Sequence, residues 1–226
     1  MRFALIALLL AAPAAQAARP FVTDDARVVD PGGCQIETFY KRQREFRERE
    51  LWLLPACNPW GTVELSLGAV YVDSTQPGDS RAVLAQGKVL LKALESGGSG
   101  YALTLGVGRV QPFQAQPATN PYFNGIGSFS LFGDRIVVHS NLGAVRDRQS
   151  DLTRGTWGLG AELLLLAPRV YGILEQYGQR KDKPTLHTGL RIWIVPNRMQ
   201  FDATVGQQHA APLDRRFSTI GLRLLW

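Results

Sequence analysis

The chain ends with RRFSTIGLRLLW, residues 215–226, in which apolar and smaller or polar residues alternate up to the last position. On an extended chain, every second residue from 220 onward falls on one face. That face carries Ile220, Leu222, Leu224 and Trp226. Termini of soluble domains are usually polar and frayed. This ending therefore predicts a strand that keeps an apolar face in apolar surroundings to its final residue, with Arg223 on the opposite face.

The same period of two recurs in twelve segments, of which 123–132 and 169–178 alternate too poorly for their faces to be assigned. The predicted segments are 33–44, 49–57, 62–72, 82–95, 101–110, 123–132, 135–146, 155–166, 169–178, 185–195, 198–206 and 216–226. Most are longer than the five or six residues typical of globular strands. They match the ~9–11 residues with which a tilted strand crosses a bilayer.

The links between segments alternate in length. Short links such as GD (133–134), AP (167–168) and PN (196–197) alternate with long ones such as DSTQPGDSR (73–81). Outer-membrane barrels have short periplasmic turns, longer external loops and an even strand number. Because lipid offers no partners for backbone polar groups, strands cross it only as a closed barrel. The sequence therefore predicts an all-β fold, a closed antiparallel transmembrane β-barrel of about 12 strands.

The first residues are typical of a cleaved signal peptide, 1–17, with Arg2 before an apolar run and AQA at the cleavage site. We divide the rest into a periplasmic N-terminal segment, 18–32, and an outer-membrane β-barrel, 33–226. These features predict a Gram-negative cell outer membrane as the location. Its lipid and the barrel assembly machinery would be the partners, with Trp226 as the assembly signal and a monomer as the default state.

Composition argues against other classes of protein. The net charge is +6, but the basic residues are scattered, so no nucleic-acid surface is predicted. A mean hydropathy of −0.07 argues against a bundle of membrane helices.

The two cysteines, Cys34 and Cys57, open the first segment and close the second. In a symmetric antiparallel hairpin they would face each other, and export favours oxidation. We expect a structural disulfide at the periplasmic rim. Two thiols and three dispersed histidines do not have the spacing of metal ligands, so no metal and no cofactor are expected.

Polar residues on the face opposite the apolar one are candidates for the barrel lumen. They are Glu64, Gln86, Lys88, Lys92, His139, Asn141, Glu162, His187, Arg191, Asp202 and Arg223. Both signs of charge are present, so an interior packed by ion pairs and an open solute path are both compatible with the pattern. The segment before Cys34 carries Asp24 and Asp25, which are either solvated or part of a lumen plug that meets a lumenal Arg or Lys.

A catalytic base and nucleophile must lie close together, and His139 and Ser140 are adjacent in the sequence. Neighbouring residues on a strand point to opposite faces, so they cannot act as base and nucleophile there. We therefore expect no catalytic activity.

Four stretches resemble a family of small outer-membrane barrels, the family described as a component of the meta-pathway of phenol degradation. They are RPFVTDDA (19–26), CQIETF (34–39), LPACNPWGTVELSLG (54–68) and VVHSNLG (137–143). The resemblance implies uptake of aromatic or other hydrophobic compounds. The leading expectation is thus a channel or transporter for small, hydrophobic or aromatic solutes. The alternatives are a non-conducting structural or interaction barrel and a lipid-modifying outer-membrane enzyme.

Overall fold

The structure is a computed structural model that describes residues 21–226, apart from 45–46, 77, 113–115 and 213–214. The expected signal peptide and its cleavage site lie outside the described residues. No helix in the described part of the chain is long and apolar enough to cross a membrane.

Within these described residues, twelve antiparallel strands close into a barrel, each pairing with its neighbours in the chain and β1 pairing with β12. The strands are β1 (Cys34–Gln43), β2 (Arg49–Cys57), β3 (Val63–Asp73), β4 (Ser80–Lys92), β5 (Ser99–Gln111), β6 (Ala118–Leu131), β7 (Ile136–Asp147), β8 (Leu152–Leu166), β9 (Val170–Gln179), β10 (Thr185–Val195), β11 (Met199–Gln208) and β12 (Phe217–Leu225). The predicted fold class is confirmed, and we call these twelve strands the wall.

Side chains alternate between the two faces of the wall. On the outer face Leu67 and Leu142 are 67% and 73% exposed, whereas on the lumenal face Glu64 and Asn141 are buried. The terminal strand follows the same rule, since Ile220 is outward and exposed and Thr219 is buried in the lumen. The outer apolar face is thus the one that would meet lipid.

Strand β6 departs most from the sequence prediction, because it begins at Ala118 instead of residue 123. Asn120 and Pro121 are typical turn residues. Here both are extended, and Pro121 pairs with Val107 of β5 without donating to the ladder. The long link before β6 is correspondingly shorter than predicted.

The barrel closes where the two ends of the wall meet. Cys34 N donates to Trp226 O at 2.9 Å, and Trp226 N donates to Cys34 O at 3.0 Å. Cys34 also pairs directly with Cys57 across the β1–β2 ladder, and the two form a disulfide. The predicted disulfide is confirmed, and it lies at the end of the barrel with the short turns.

Three β-bulges lie near this short-turn end, in β4, β8 and β10. The bulge between Leu90 and Lys92 adds one residue, which reverses the face on which the next side chain lies. The prediction that Lys92 faces the lumen is therefore wrong. Lys92 is exposed and donates to Ser99 Oγ at 3.2 Å.

Candidate functional site: the lumen and its plug

Residues 21–30, which we call the plug, run through the middle of the lumen. Phe21, Thr23, Asp24 and Ala26 are all at most 2% exposed. The plug leaves the lumen at the short-turn end through Gly32, whose φ of +75° favours glycine, and joins β1 there. The N-terminal segment therefore occupies the space that a solute path would need.

The plug backbone is bound by side chains of the wall. The carboxylate of Glu175 accepts from Val22 N at 3.0 Å and from Thr23 N at 2.8 Å. Asn141 both accepts from Asp24 N, at 2.6 Å, and donates to Asp24 O, at 2.8 Å. These bonds satisfy backbone groups that would otherwise be buried without partners.

Two further wall residues hold the second half of the plug. Ser128 Oγ accepts from Ala26 N at 2.8 Å, and Glu64 Oε2 accepts from Val29 N at 3.0 Å. At the rim Asn58 Nδ2 donates to Val29 O at 2.6 Å. The plug is therefore anchored along most of its length and not at one end alone.

Ion pairs add to this attachment. Lys88 Nζ lies 2.8 Å from Asp24 Oδ1 and 3.6 Å from Asp25 Oδ1. Arg27 lies 3.2 Å from Glu162. The plug candidates Asp24 and Asp25 thus meet a lumenal lysine, one of the arrangements that the sequence left open.

The two plug carboxyl groups have opposite pKa shifts. Burial, which outweighs the attraction of Lys88, raises the pKa of Asp24 to about 6. Burial also acts to raise the pKa of Asp25, but Lys88 and Arg27 outweigh it and lower that pKa to about 2. The two neighbouring carboxyl groups therefore differ in how readily they take up a proton.

The wall is shaped to receive the plug. Gly158 and Gly160 of β8 face the lumen, and both lie against the plug. A Cβ at Gly158 would lie 2.6 Å from Thr23 Oγ1, and one at Gly160 would lie 2.9 Å from Phe21 Cε1. Since real Cβ contacts are longer, side chains at these two positions would push the plug away.

Beyond the plug, the lumenal charges pair with one another. Arg191 binds Glu162 and also Asp202, the latter at 2.9 Å. His187 lies between Glu175 and Thr204, at 2.5 Å from each. Arg223 lies 3.2 Å from Glu37 of β1. The interior is therefore packed by a network of pairs, which brings together most of the lumenal residues proposed from sequence.

His139 is buried and contacts Ser128, whose Oγ lies 2.8 Å from His139 Nδ1. Ser140 lies on the other face of β7, where its Oγ donates to Gly127 O at 3.4 Å. The Ser128–His139 pair joins adjacent strands, and sequence reasoning missed it because the faces of segment 123–132 could not be assigned. Three-residue groups of His, Cys, Asp or Glu suited to a metal ion are absent from the described ranges.

The lumen also has an apolar cluster, consisting of Phe39, Trp52, Leu54 and Val70, which lies toward the long-loop end of β1–β3. Phe39 and Trp52 are stacked with ring centroids 5.2 Å apart. Trp52 Nε1 donates to Glu50, which also pairs with Lys41. Sequence reasoning missed this cluster because it assigned lumenal positions by polarity. The sequence does indicate the position of Trp52, because Trp52 and Glu50 are two residues apart on one strand and therefore lie on the same face.

Over residues 5–226 the sequence matches the family described as "Uncharacterised conserved protein UCP029691", so the chain belongs to that family. A search of curated proteins for sequence relatives finds no match.

Several solved structures share the fold. The NanC porin is 9% identical, with a TM-score of 0.55, over 84% of this chain and 98% of that chain. The outer membrane protein Omp33 of Acinetobacter baumannii is 7% identical, with a TM-score of 0.53, over 85% and 97%. Outer membrane phospholipase A from Escherichia coli is 11% identical, with a TM-score of 0.51, over 89% and 93%. The chain therefore has the architecture of outer-membrane β-barrels.

Proposed function

We propose that this protein is an outer-membrane channel for small solutes, closed by its own plug in the conformation described above. The observation that carries the proposal is how the plug is attached. Among the described residues, the hydrogen bonds that positions 22–29 make outside the plug all end on a side chain, either of the wall or of Asn58 at the rim. The plug can therefore leave without breaking a strand ladder.

The orientation follows from the loops. Outer-membrane barrels place short turns in the periplasm and long loops outside. The plug would then enter from the periplasmic rim beside the Cys34–Cys57 disulfide, with the apolar cluster in the external half of the lumen. A solute arriving from outside would meet the apolar cluster before the plug.

The apolar cluster supports small hydrophobic or aromatic compounds as the solute class. Phe39 and Trp52 lie on the lumenal face of the wall, stacked on each other and only 5% and 6% exposed. Aromatic rings stack or pack edge to face with other rings. This agrees with the resemblance to barrels associated with phenol degradation.

Planar-bilayer recording tests the channel. We expect the intact barrel to be mostly closed and a variant lacking residues 21–30 to conduct steadily, because deletion empties the middle of the lumen. Heat-modifiable migration on gels would show that the variant still forms a barrel. A folded deletion variant that remains silent at all voltages would contradict the proposal.

That silent result would favour the second candidate, a non-conducting structural or interaction barrel. Its supporting observation is the packed lumen, where Arg191, Glu162 and Asp202 fill space independently of the plug. The two candidate functions thus predict different lumens after the plug is deleted: an open one for the channel, and one still filled by wall side chains for the structural barrel.

Phenol is a suitable probe for the solute class. We expect it to quench fluorescence of Trp52 in the plug-deleted barrel, and the Trp52→Phe variant gives the background from the other four tryptophans. Equal quenching in both proteins would exclude the apolar cluster as the binding surface.

The proposal includes no catalytic activity. Ser128 Oγ already accepts from Ala26 N and lies within hydrogen-bond distance of His139, so it serves in binding the plug. Lipase activity that is lost in Ser128→Ala or Ser140→Ala would contradict this part.

A further inference from the structure

The outer face of the wall has a groove of about 800 Å³ on β3–β5. Its floor is made by two small outward residues of β4, Ala85 and Gly87. Larger apolar residues on the neighbouring strands pair with them and form the sides: Leu65 and Leu67 on β3, and Leu105 and Val107 on β5. The groove therefore runs along β4 between two apolar ridges.

Arginines lie above this groove, at the long-loop end of the same outer face. Arg81 precedes Ala85 by four residues on β4, which places it ~13 Å away at ~3.3 Å per residue. Arg109 follows Val107 by two residues on β5, and both arginines are exposed. The groove thus lies in the middle of the wall below the basic rim, with the outward Val83 between Arg81 and Ala85.

Two more arginines extend the basic rim. Arg42 and Arg49 pair directly across β1 and β2, where like charges are unfavourable without a counterion. Arg49 lies 3.7 Å from Asp73. Within the described part of the chain, Arg42, Arg81 and Arg109 have no ion-pair partner. The rim therefore has more positive charge than its own carboxylates neutralise.

We propose that this face binds one molecule of a phosphorylated glycolipid, the lipopolysaccharide of the outer leaflet. Its phosphates would bind the arginine rim, and one acyl chain would lie in the groove. Arginine suits phosphate because its planar guanidinium donates two parallel hydrogen bonds.

The spacing of the rim favours a headgroup with more than one phosphate. The four arginines lie on β1, β2, β4 and β5, which at ~4.8 Å between neighbouring strands spans ~19 Å. One phosphate cannot contact all four at that spacing. This inference requires the barrel to lie in the outer membrane with its long loops outside, but it does not depend on whether the lumen conducts.

Native mass spectrometry of the purified barrel with bisphosphorylated lipid A tests the arginines. We expect the combined Arg42→Gln, Arg49→Gln and Arg81→Gln variant to bind about a thousandfold more weakly, at about tenfold for each of the three charge-assisted contacts. The matched control is Arg146→Gln, since Arg146 is also outward but already pairs with Asp151. Unchanged binding in the triple variant, or an equal loss in the control, would overturn the proposal.

A second variant tests the groove without altering charge. A Cβ at Gly87 would lie 3.6 Å from Leu65 Cδ2, an ordinary contact, so Gly87→Leu should fold and fill the groove. We expect it to weaken lipid A binding about tenfold, as for the loss of part of one buried chain. Ala203→Leu, on the outer face of β11, should have no effect.

Inorganic phosphate distinguishes a lipid from a free anion. We expect millimolar phosphate to leave lipid A bound to the wild-type barrel, because the acyl chain contributes as well. Complete displacement, together with unchanged binding by Gly87→Leu, would show that the arginines bind a free anion and would overturn the lipid assignment. Heat-modifiable migration of each variant monitors folding throughout.

Discussion

The wall and the plug satisfy their backbone groups in different ways. In the wall each strand pairs along its length with two others. The last ladder joins Gln35–Gln43 of β1 to β12 and closes the barrel. In the plug, Val22, Thr23 and Asp24 donate to carboxylate and amide side chains more than a hundred residues away. A ladder must open over many residues together, whereas side-chain bonds can be lost one at a time. The plug is therefore attached by bonds that break more easily than a ladder, as the proposed channel function requires.

Replacing Arg191 by Met should have the largest effect on the wall. Glu162 and Asp202 would both lose a buried partner, which we expect to lower the free energy of unfolding by about 3–5 kcal/mol. Urea titration in lipid vesicles, read by heat-modifiable migration, measures it.

The control is Arg146→Met, because the Arg146–Asp151 pair is on the surface and contributes at most about 1 kcal/mol. Equal losses in the two variants would show that the lumenal network does not support the wall.

The disulfide fastens the wall where the plug joins it. The double variant Cys34→Ser, Cys57→Ser should lower the free energy of unfolding by about 3 kcal/mol, given a sequence separation of 23 residues. The same urea titration, with and without reductant, measures the effect. An unchanged midpoint on reduction would contradict it.

Deleting Trp226 should reduce assembly of the wall. The deletion removes the two hydrogen bonds to Cys34 that complete the closing ladder. At about 1 kcal/mol each, their loss should lower the equilibrium constant for closing the barrel about tenfold or more, and the assembled fraction with it. Deleting His209 from a long loop is the control, and cell fractionation measures both. Similar yields from the two deletions would rule out a special role for the final residue.

The smallest effect on stability, and the most selective, should come from Glu175→Gln. The neutral amide accepts more weakly from Val22 N and Thr23 N, so the plug should loosen by about 1–2 kcal/mol. The amide can still hydrogen-bond His187, so the wall should stay intact. Limited proteolysis of the plug should therefore speed up without a shift in the urea midpoint.

The matched control is Glu37→Gln, a buried lumenal carboxylate that pairs with Arg223. If Glu175→Gln lowered the urea midpoint and left proteolysis of the plug unchanged, the plug could not be loosened independently of the wall, which would contradict the prediction.

Most of the wall could be predicted from the sequence because its rule is local. A period of two shows which side of a strand is apolar, and the strand predicted at 62–72 lies at Val63–Asp73. The rule failed at β6, where Pro121 is typical of a turn, and at the bulge before Lys92, where one extra residue reversed the face.

The plug contacts could not be predicted in the same way. Thr23 and Glu175 are 152 residues apart, and nothing local to either residue specifies the other. The acidic pair Asp24 and Asp25 suggested a lumenal base as partner, but the choice of Lys88 depends on how the closed barrel places β4. The apolar cluster was missed because lumenal positions were assigned by polarity. Apolar side chains inside a barrel can nevertheless pack on each other, as they do in the core of a soluble protein.

The glycines beside the plug constrain how this protein can vary. A side chain at position 158 or 160 would occupy the space of Thr23 or Phe21. A relative with a larger residue at either place must therefore have a smaller plug residue opposite it, or no plug in its lumen. The residue type at these two positions of β8 is thus a marker, readable in an alignment, for which relatives can share the closed state.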